Sequence, residues 1–180
     1  MGLQLIFVVE TNKKCKSDWI YIKDTIEYLY QYDRSQHLFT PVYMDGKGKY
    51  KNKEKEIKSY ISQYASTSKT NQTKVIYCFD CDDYDKKTED AEFLKNAQQY
   101  CCNHGYEFVW FCKDIERVYL GRQVEDSKKK TEAAVFKEKK QIVNVDVKKL
   151  AVDSYQTNVS NIMIVLDKYL IRKSTIVSEH

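Results

Sequence analysis

Carboxylates cluster where two apolar runs stop. Asp80-Cys81-Asp82-Asp83 follows Val75-Ile76-Tyr77-Cys78-Phe79, and Glu10 follows Leu3-Gln4-Leu5-Ile6-Phe7-Val8-Val9. Asp side chains crowded on one loop repel one another at neutral pH and stay ionised together most easily around a divalent cation. A Glu at one strand end and an Asp-x-Asp at another therefore point to a magnesium site, a common basis of phosphoryl-transfer and nuclease chemistry. Asp114 and Glu116 follow a third apolar run, and Asp83 and Asp85 are secondary acids on the Asp80 loop.

The elements that must position these acids alternate. Residues 3–9 form an unbroken apolar run, as in a strand buried on both faces. Ser17-Asp18 offers an N-cap to a helix carrying Trp19, Ile22, Ile26 and Leu29 on one stripe. Residues 38–44 read as a second strand, with Pro41 marking an edge. A helix is expected over 50–64 and a third strand over 74–79. A helix starting near Thr88 stops at His104-Gly105, and 106–112 is a fourth strand. Asp114 caps a short helix ended by Gly121. Strands separated by helices give an α/β fold with a mostly parallel four-stranded sheet flanked by helices. In such sheets ligands bind outside the carboxyl ends of the strands, where Glu10, Asp80, Asp82 and Asp114/Glu116 are all expected.

Beyond Gly121 the alternation fades. A helix is expected over 131–140, a short strand or helix over 141–147, a helix over 160–171 and a tail after it. Residues 1–121 thus read as an α/β core and 122–180 as a basic, mainly helical extension packed on it. Residues 122–149 carry nine basic side chains against five acids, matching the whole-chain excess of +4. Residues 47–58 carry six Lys against two Glu. Such surfaces favour polyphosphate partners, with Lys128, Lys129, Lys130 and Lys139 as candidate nucleic-acid contacts.

At 180 residues, with 42% hydrophobic and 31% charged side chains, one Pro and five Gly, the chain suits one compact domain. No apolar run approaches the length of a membrane span, and the first residues lack the basic region of a secretory leader. Six Cys without an export signal fit a reducing, cytoplasmic setting. Cys78 and Cys81 have CxxC spacing, but no second CxxC pair accompanies them, and pleating would point them to opposite faces. His37, His104 and His180 sit before a strand, at a helix end and at the terminus, and suggest no catalytic role. Tyr84, beside the acidic loop, is placed to stack on a base.

Three segments resemble the Toprim domain, the catalytic module of topoisomerases, primases and several nucleases, and more closely the RloB-like and OLD-type Toprim proteins of bacterial (antiviral) defence. Leu5-Ile6-Phe7-Val8-Val9-Glu10 is similar to the first motif, Val75 to Asp83 to the second, and Asp114-Ile115-Glu116-Arg117-Val118-Tyr119-Leu120 to the segment carrying a further acid. The family usually has Gly after the first Glu, where Thr11 stands here, and a Pro-containing loop where Cys112-Lys113 stands. The resemblance implies Rossmann-like topology and Mg²⁺- or Mn²⁺-dependent cleavage of a DNA or RNA phosphodiester. Asp80 and Asp82 would hold the metal, Glu116 would add a ligand, and Glu10 would bind metal or act as general acid/base. Lys137 or Lys140 would steady developing charge. The resemblance also implies a separate ATPase or defence-system partner chain and a homodimer. A catalytically weak binding module on the same fold is the alternative. Phosphotransfer domains of the HAD or receiver type fit less well, because they want their paired acids at the first strand.

Overall fold

The computed structural model describes residues 1–174, so His180 and most of the expected tail lie outside the described residues. Five strands form the main sheet: β1 (Leu3–Val9), β3 (His37–Tyr43), β4 (Gln72–Asp80), β5 (Glu107–Cys112) and β6 (Val159–Ser160), in the order β3-β1-β4-β5-β6. All neighbours are parallel except β5 and β6. A small antiparallel pair, β2 (Tyr30–Gln31) with β7 (Ile171–Arg172), ties the C-terminal segment to the end of the first helix. Pro41 lies on β3, an edge strand, where its missing N–H is tolerated.

The unbroken apolar runs follow from burial on both faces. Alternate side chains of one strand feed two cores. Leu5, Phe7, Val9, Ile76, Cys78, Val109 and Phe111 face α1 (Ser17–Leu29), α4 (Ile115–Leu120), α5 (Lys129–Glu138) and α6 (Ile162–Leu166). Ile6, Val8, Val75, Tyr77, Phe79 and Trp110 face α2 (Glu54–Thr67), α3 (Thr88–His104) and Tyr50 of a 3-10 turn over Lys47–Lys53. Gly105 and Gly121 end α3 and α4 with φ of 66° and 71°, the left-handed conformation that only Gly adopts at no steric cost.

Three expectations change. The sheet has a fifth strand, antiparallel and two residues long. Residues 141–147 are not a strand: 3-10 turns occupy Gln141–Asn144 and Val147–Leu150. The final helix over 160–171 shrinks to Ile162–Leu166. Its first residues serve the sheet instead. Ser160 Oγ donates to the Trp110 carbonyl (2.6 Å), while Asn161 Oδ1 accepts from Trp110 N–H (2.9 Å) and its Nδ2 donates to the Phe108 carbonyl (2.9 Å). These side chains finish the exposed edge of β5, as a strand would. The segment after Gly121 contributes Phe136, Leu150 and Leu166 to the same core as β1 and α1.

The order of strands fixes the site. From β1 the chain crosses to β3 on one side, then returns to β4 on the other. The β1/β4 boundary is therefore the topological switch point, where the connections diverge and leave a crevice at the carboxyl ends. Glu10 and Asp80 sit on either side of it.

Candidate metal centre

Glu10 is the first residue after β1, and its Oε1 accepts the backbone N–H of Asp80 at 2.8 Å. Asp80 ends β4, and its Oδ1 accepts the N–H of Ile115 at 3.0 Å, in the first turn of α4. Asp114 caps that helix by accepting the Arg117 N–H at 2.8 Å and pairs with the Arg117 guanidinium at 3.2 Å. Asp114→Ala is expected to cost about 1–2 kcal/mol, with Asp114→Asn keeping most of the stability, as read from urea denaturation midpoints.

Two further groups complete the cluster. Asp18 lies in the first turn of α1 rather than at its cap, because the helix is preceded by Lys16 in a left-handed conformation (φ 58°). Its Oδ2 instead accepts the Thr11 N–H at 3.1 Å, which turns it toward the end of β1. Lys129 opens α5, and its ammonium stands 3.6 Å from Glu116 Oε2 and 3.5 Å from Asp126. Glu116 is fully buried, and among the described residues neither of its carboxylate oxygens has a hydrogen-bond partner. Glu10, Asp18, Asp80, Asp126 and Lys129 line one cavity of about 470 Å³.

The acids pay for this crowding in proton affinity. Burial pushes Glu10 up to about 8, with the charges of Asp18 and Asp82 adding to it and the Asp80 N–H opposing. Burial, then Glu10, Asp18 and Glu116, holds Asp80 well above the usual carboxylate range. Burial pushes Glu116 up to about 7 against the pull of Lys129. Burial works against the Lys129 charge, but Glu116, Asp80 and Asp18 outweigh it and raise its pKa. One ammonium thus faces several carboxyls whose proton affinities are raised by burial and by one another.

The remaining expected site residues pair with lysines or are exposed, Asp82 near enough to Glu10 for its charge to act on it. Asp82, with φ 50°, pairs with Lys47, whose ammonium also reaches Asp90 at 3.2 Å. Asp83 pairs with Lys87 (3.0 Å) and Lys113 (3.4 Å), and Asp85 with Lys113 (3.0 Å). The carboxylates of Asp82, Asp83 and Asp85 are therefore each paired with the chain's own lysines. Lys137 and Lys140 are exposed, Lys137 at the end of α5 and Lys140 just beyond it, as are Lys128, Lys130 and Lys139. Among the described residues no three Asp, Glu, His or Cys side chains are drawn into a group able to hold a metal ion. In this structure each inner acid is instead held by a backbone N–H or by Lys129.

Cys78 and Cys81 fall into the two opposite cores, so the CxxC spacing forms no pair. His37 and His104 each place Nδ1 against a backbone carbonyl, of Asp33 (3.0 Å) and Tyr100 (2.8 Å). Tyr84 packs against Tyr155, with ring centroids 5.2 Å apart. Among the described residues no helix is long and apolar enough to cross a membrane.

Asp18 and the inward place of Lys129 are not evident from strand-end reading. One signal for Asp18 exists: an acid in the first turn of a helix that follows a parallel strand lies at the same carboxyl edge as the strand's end. Comparison of the chain with family models, curated proteins and solved structures returned no match.

Proposed function

We propose that the chain is a divalent-cation-dependent, Toprim-like nuclease whose centre is Glu10, Asp80 and Glu116, with Asp18 in the place first expected of Asp82. The observation that carries this reading is Glu116. A fully buried carboxylate that has no hydrogen-bond partner among the described residues, with the Lys129 ammonium 3.6 Å away, is a costly arrangement that a bound cation would relieve. The donor set is all oxygen, which suits Mg²⁺ or Mn²⁺. Such an ion supplies a polarised water and charge neutralisation at a scissile phosphate.

The chain's own groups have separable roles. Glu10 Oε1 is engaged by the Asp80 N–H, which leaves Oε2 to hold or pass a proton, and an affinity near 8 makes that possible at neutral pH. Lys129 brings a positive charge to the cavity for the phosphate. Lys47 borders the site through Asp82, and exposed Lys49, Lys51 and Lys55 extend that basic edge along the path of a nucleic-acid backbone. The partner ATPase and the homodimer implied by the resemblance belong to this same proposal.

The test is cleavage of labelled single- and double-stranded DNA and RNA with Mg²⁺ or Mn²⁺. Activity is expected to fall by at least about 100-fold in Glu10→Gln and Asp80→Asn proteins that remain folded. Cleavage unaffected by both changes would exclude this centre. The Lys47–Asp82 ion pair favours the second reading, a weakly catalytic binding module, because it ties up the Asp expected as a ligand. Salt-dependent nucleic-acid binding without cleavage by the parent protein would favour that module.

A further inference from the structure

The structure assigns Cys81 and Cys112 as a reversible, oxidant-sensitive dithiol that bridges the two loops carrying the acids. Cys81 follows the last residue of β4 and Cys112 is the last of β5. Asp80 is in register with Phe111, so Cys81 and Cys112 are the next cross-strand pair. The backbones stay joined there, with Cys81 N–H donating to the Phe111 carbonyl (2.9 Å) and Asp82 N–H to the Lys113 carbonyl (2.7 Å). Both side chains enter the same core, and the two sulfurs are in contact at 2.8 Å. Neighbouring strands lie about 4.8 Å apart, within the roughly 4.4–6.8 Å between Cα atoms that a disulfide spans.

The surroundings favour a covalent pair over a metal. Both thiols are fully buried in the core that holds Phe79, Trp110 and Tyr155, and among the described residues no group of three His, Cys, Asp or Glu able to hold a metal forms around them. A disulfide needs none. Neither sulfur is open to solvent, so reaction should be slower than at the exposed Cys102.

The oxidant is a peroxide. One sulfur of the pair attacks a peroxide oxygen, the O–O bond breaks, and the first water leaves as an S–O bond forms. The second sulfur attacks the first, the S–S bond forms, and the S–O oxygen leaves as the second water. Two thiols give up two electrons and two protons, and hydrogen peroxide is reduced to two waters. A small thiol or dithiol reverses the step by exchange. The bond would fix Cys81, flanked by Asp80 and Asp82, to Cys112, two residues before Asp114. This inference does not rest on the proposed activity.

The test uses the folded full chain, reduced, freed of reductant and exposed to hydrogen peroxide. Remaining thiols are then alkylated under denaturing conditions and the peptides mapped by mass spectrometry. The expected product joins the Cys81 and Cys112 peptides with loss of two hydrogens, is undone by dithiothreitol, and raises Tm by about 5 °C. Cys81→Ser and Cys112→Ser proteins should give neither the link nor the gain in Tm. Cys81 and Cys112 remaining alkylatable after Cys102 has been oxidised would overturn the assignment, as would a link through Cys15, Cys78 or Cys101 instead. The mapping on the parent protein decides the matter even if a variant does not fold.

Discussion

Lys129→Met is expected to lower the free energy of unfolding by about 3 kcal/mol near pH 8.5, because it removes the ammonium that faces the buried Glu116 carboxylate. The loss should shrink at lower pH. Glu116, held up to about 7, takes a proton there and no longer needs a cation. A Lys129→Met/Glu116→Leu double variant should recover part of the loss, since an apolar pair of similar volume fits a buried site at least as well as an ion pair. Recovery is not expected to be complete, because the same ammonium also offsets Asp80 and Asp18. Urea denaturation of the four proteins across pH gives the coupling energy directly. Additive losses, or a loss independent of pH, would show that Lys129 does not neutralise this cluster.

In metal-free buffer, stability is expected to fall as pH rises from about 4.5 to about 8. Glu10 and Glu116 both have folded-state affinities raised above the ordinary 4.5, to about 8 and about 7. Between those limits the folded chain keeps protons that the unfolded chain has lost, so each added unit of pH favours unfolding. The contribution is fully present below the unfolded value and is lost as pH passes through the folded one. For Glu116 alone the shift corresponds to roughly 3 kcal/mol. Glu10→Gln and Glu116→Gln should each flatten the slope in this window. A profile unchanged by both substitutions would place the ionising groups elsewhere.

What the sequence discloses about this site follows from how each part is built. A strand buried on both faces writes itself as an uninterrupted apolar run, so its end, and the acid standing there, are visible without a structure. Glu10 and Asp80 are legible for that reason, and Gly105 and Gly121 because a left-handed helix end selects Gly. The fate of the Asp82–Asp85 run is not legible. Its charges are met by Lys47 and Lys113, which are distant in sequence and brought close only by the sheet. Asp18 hides behind a good N-cap signature, since Ser-Asp ahead of an apolar stripe reads as a cap until Lys16 takes that place. The segment beyond Gly121 is opaque for another reason: 3-10 turns and two-residue strands have no period, and the spacing of Ile162, Val165 and Leu166 suits a short helix as well as a long one.

Lys129 also reframes the basic extension. The sequence presents it as one of three consecutive lysines on a solvated surface. In the fold its neighbours Lys128 and Lys130 are exposed, while Lys129 turns into the cavity. A cation that enters the cluster must share it with this ammonium, and the carboxyls must release the protons they hold. Cation affinity should therefore rise with pH over the window in which metal-free stability falls.

Calorimetric titration of the folded chain with Mn²⁺, in two buffers of different ionisation enthalpy near pH 7.5, tests the acid cluster as a divalent-cation site most directly. The expected result is saturable binding with net proton release and a matching rise in Tm, both abolished by Glu10→Gln or Asp80→Asn. Absence of heat and of any Tm shift at millimolar Mn²⁺ and Mg²⁺, in a protein that is folded, would contradict it.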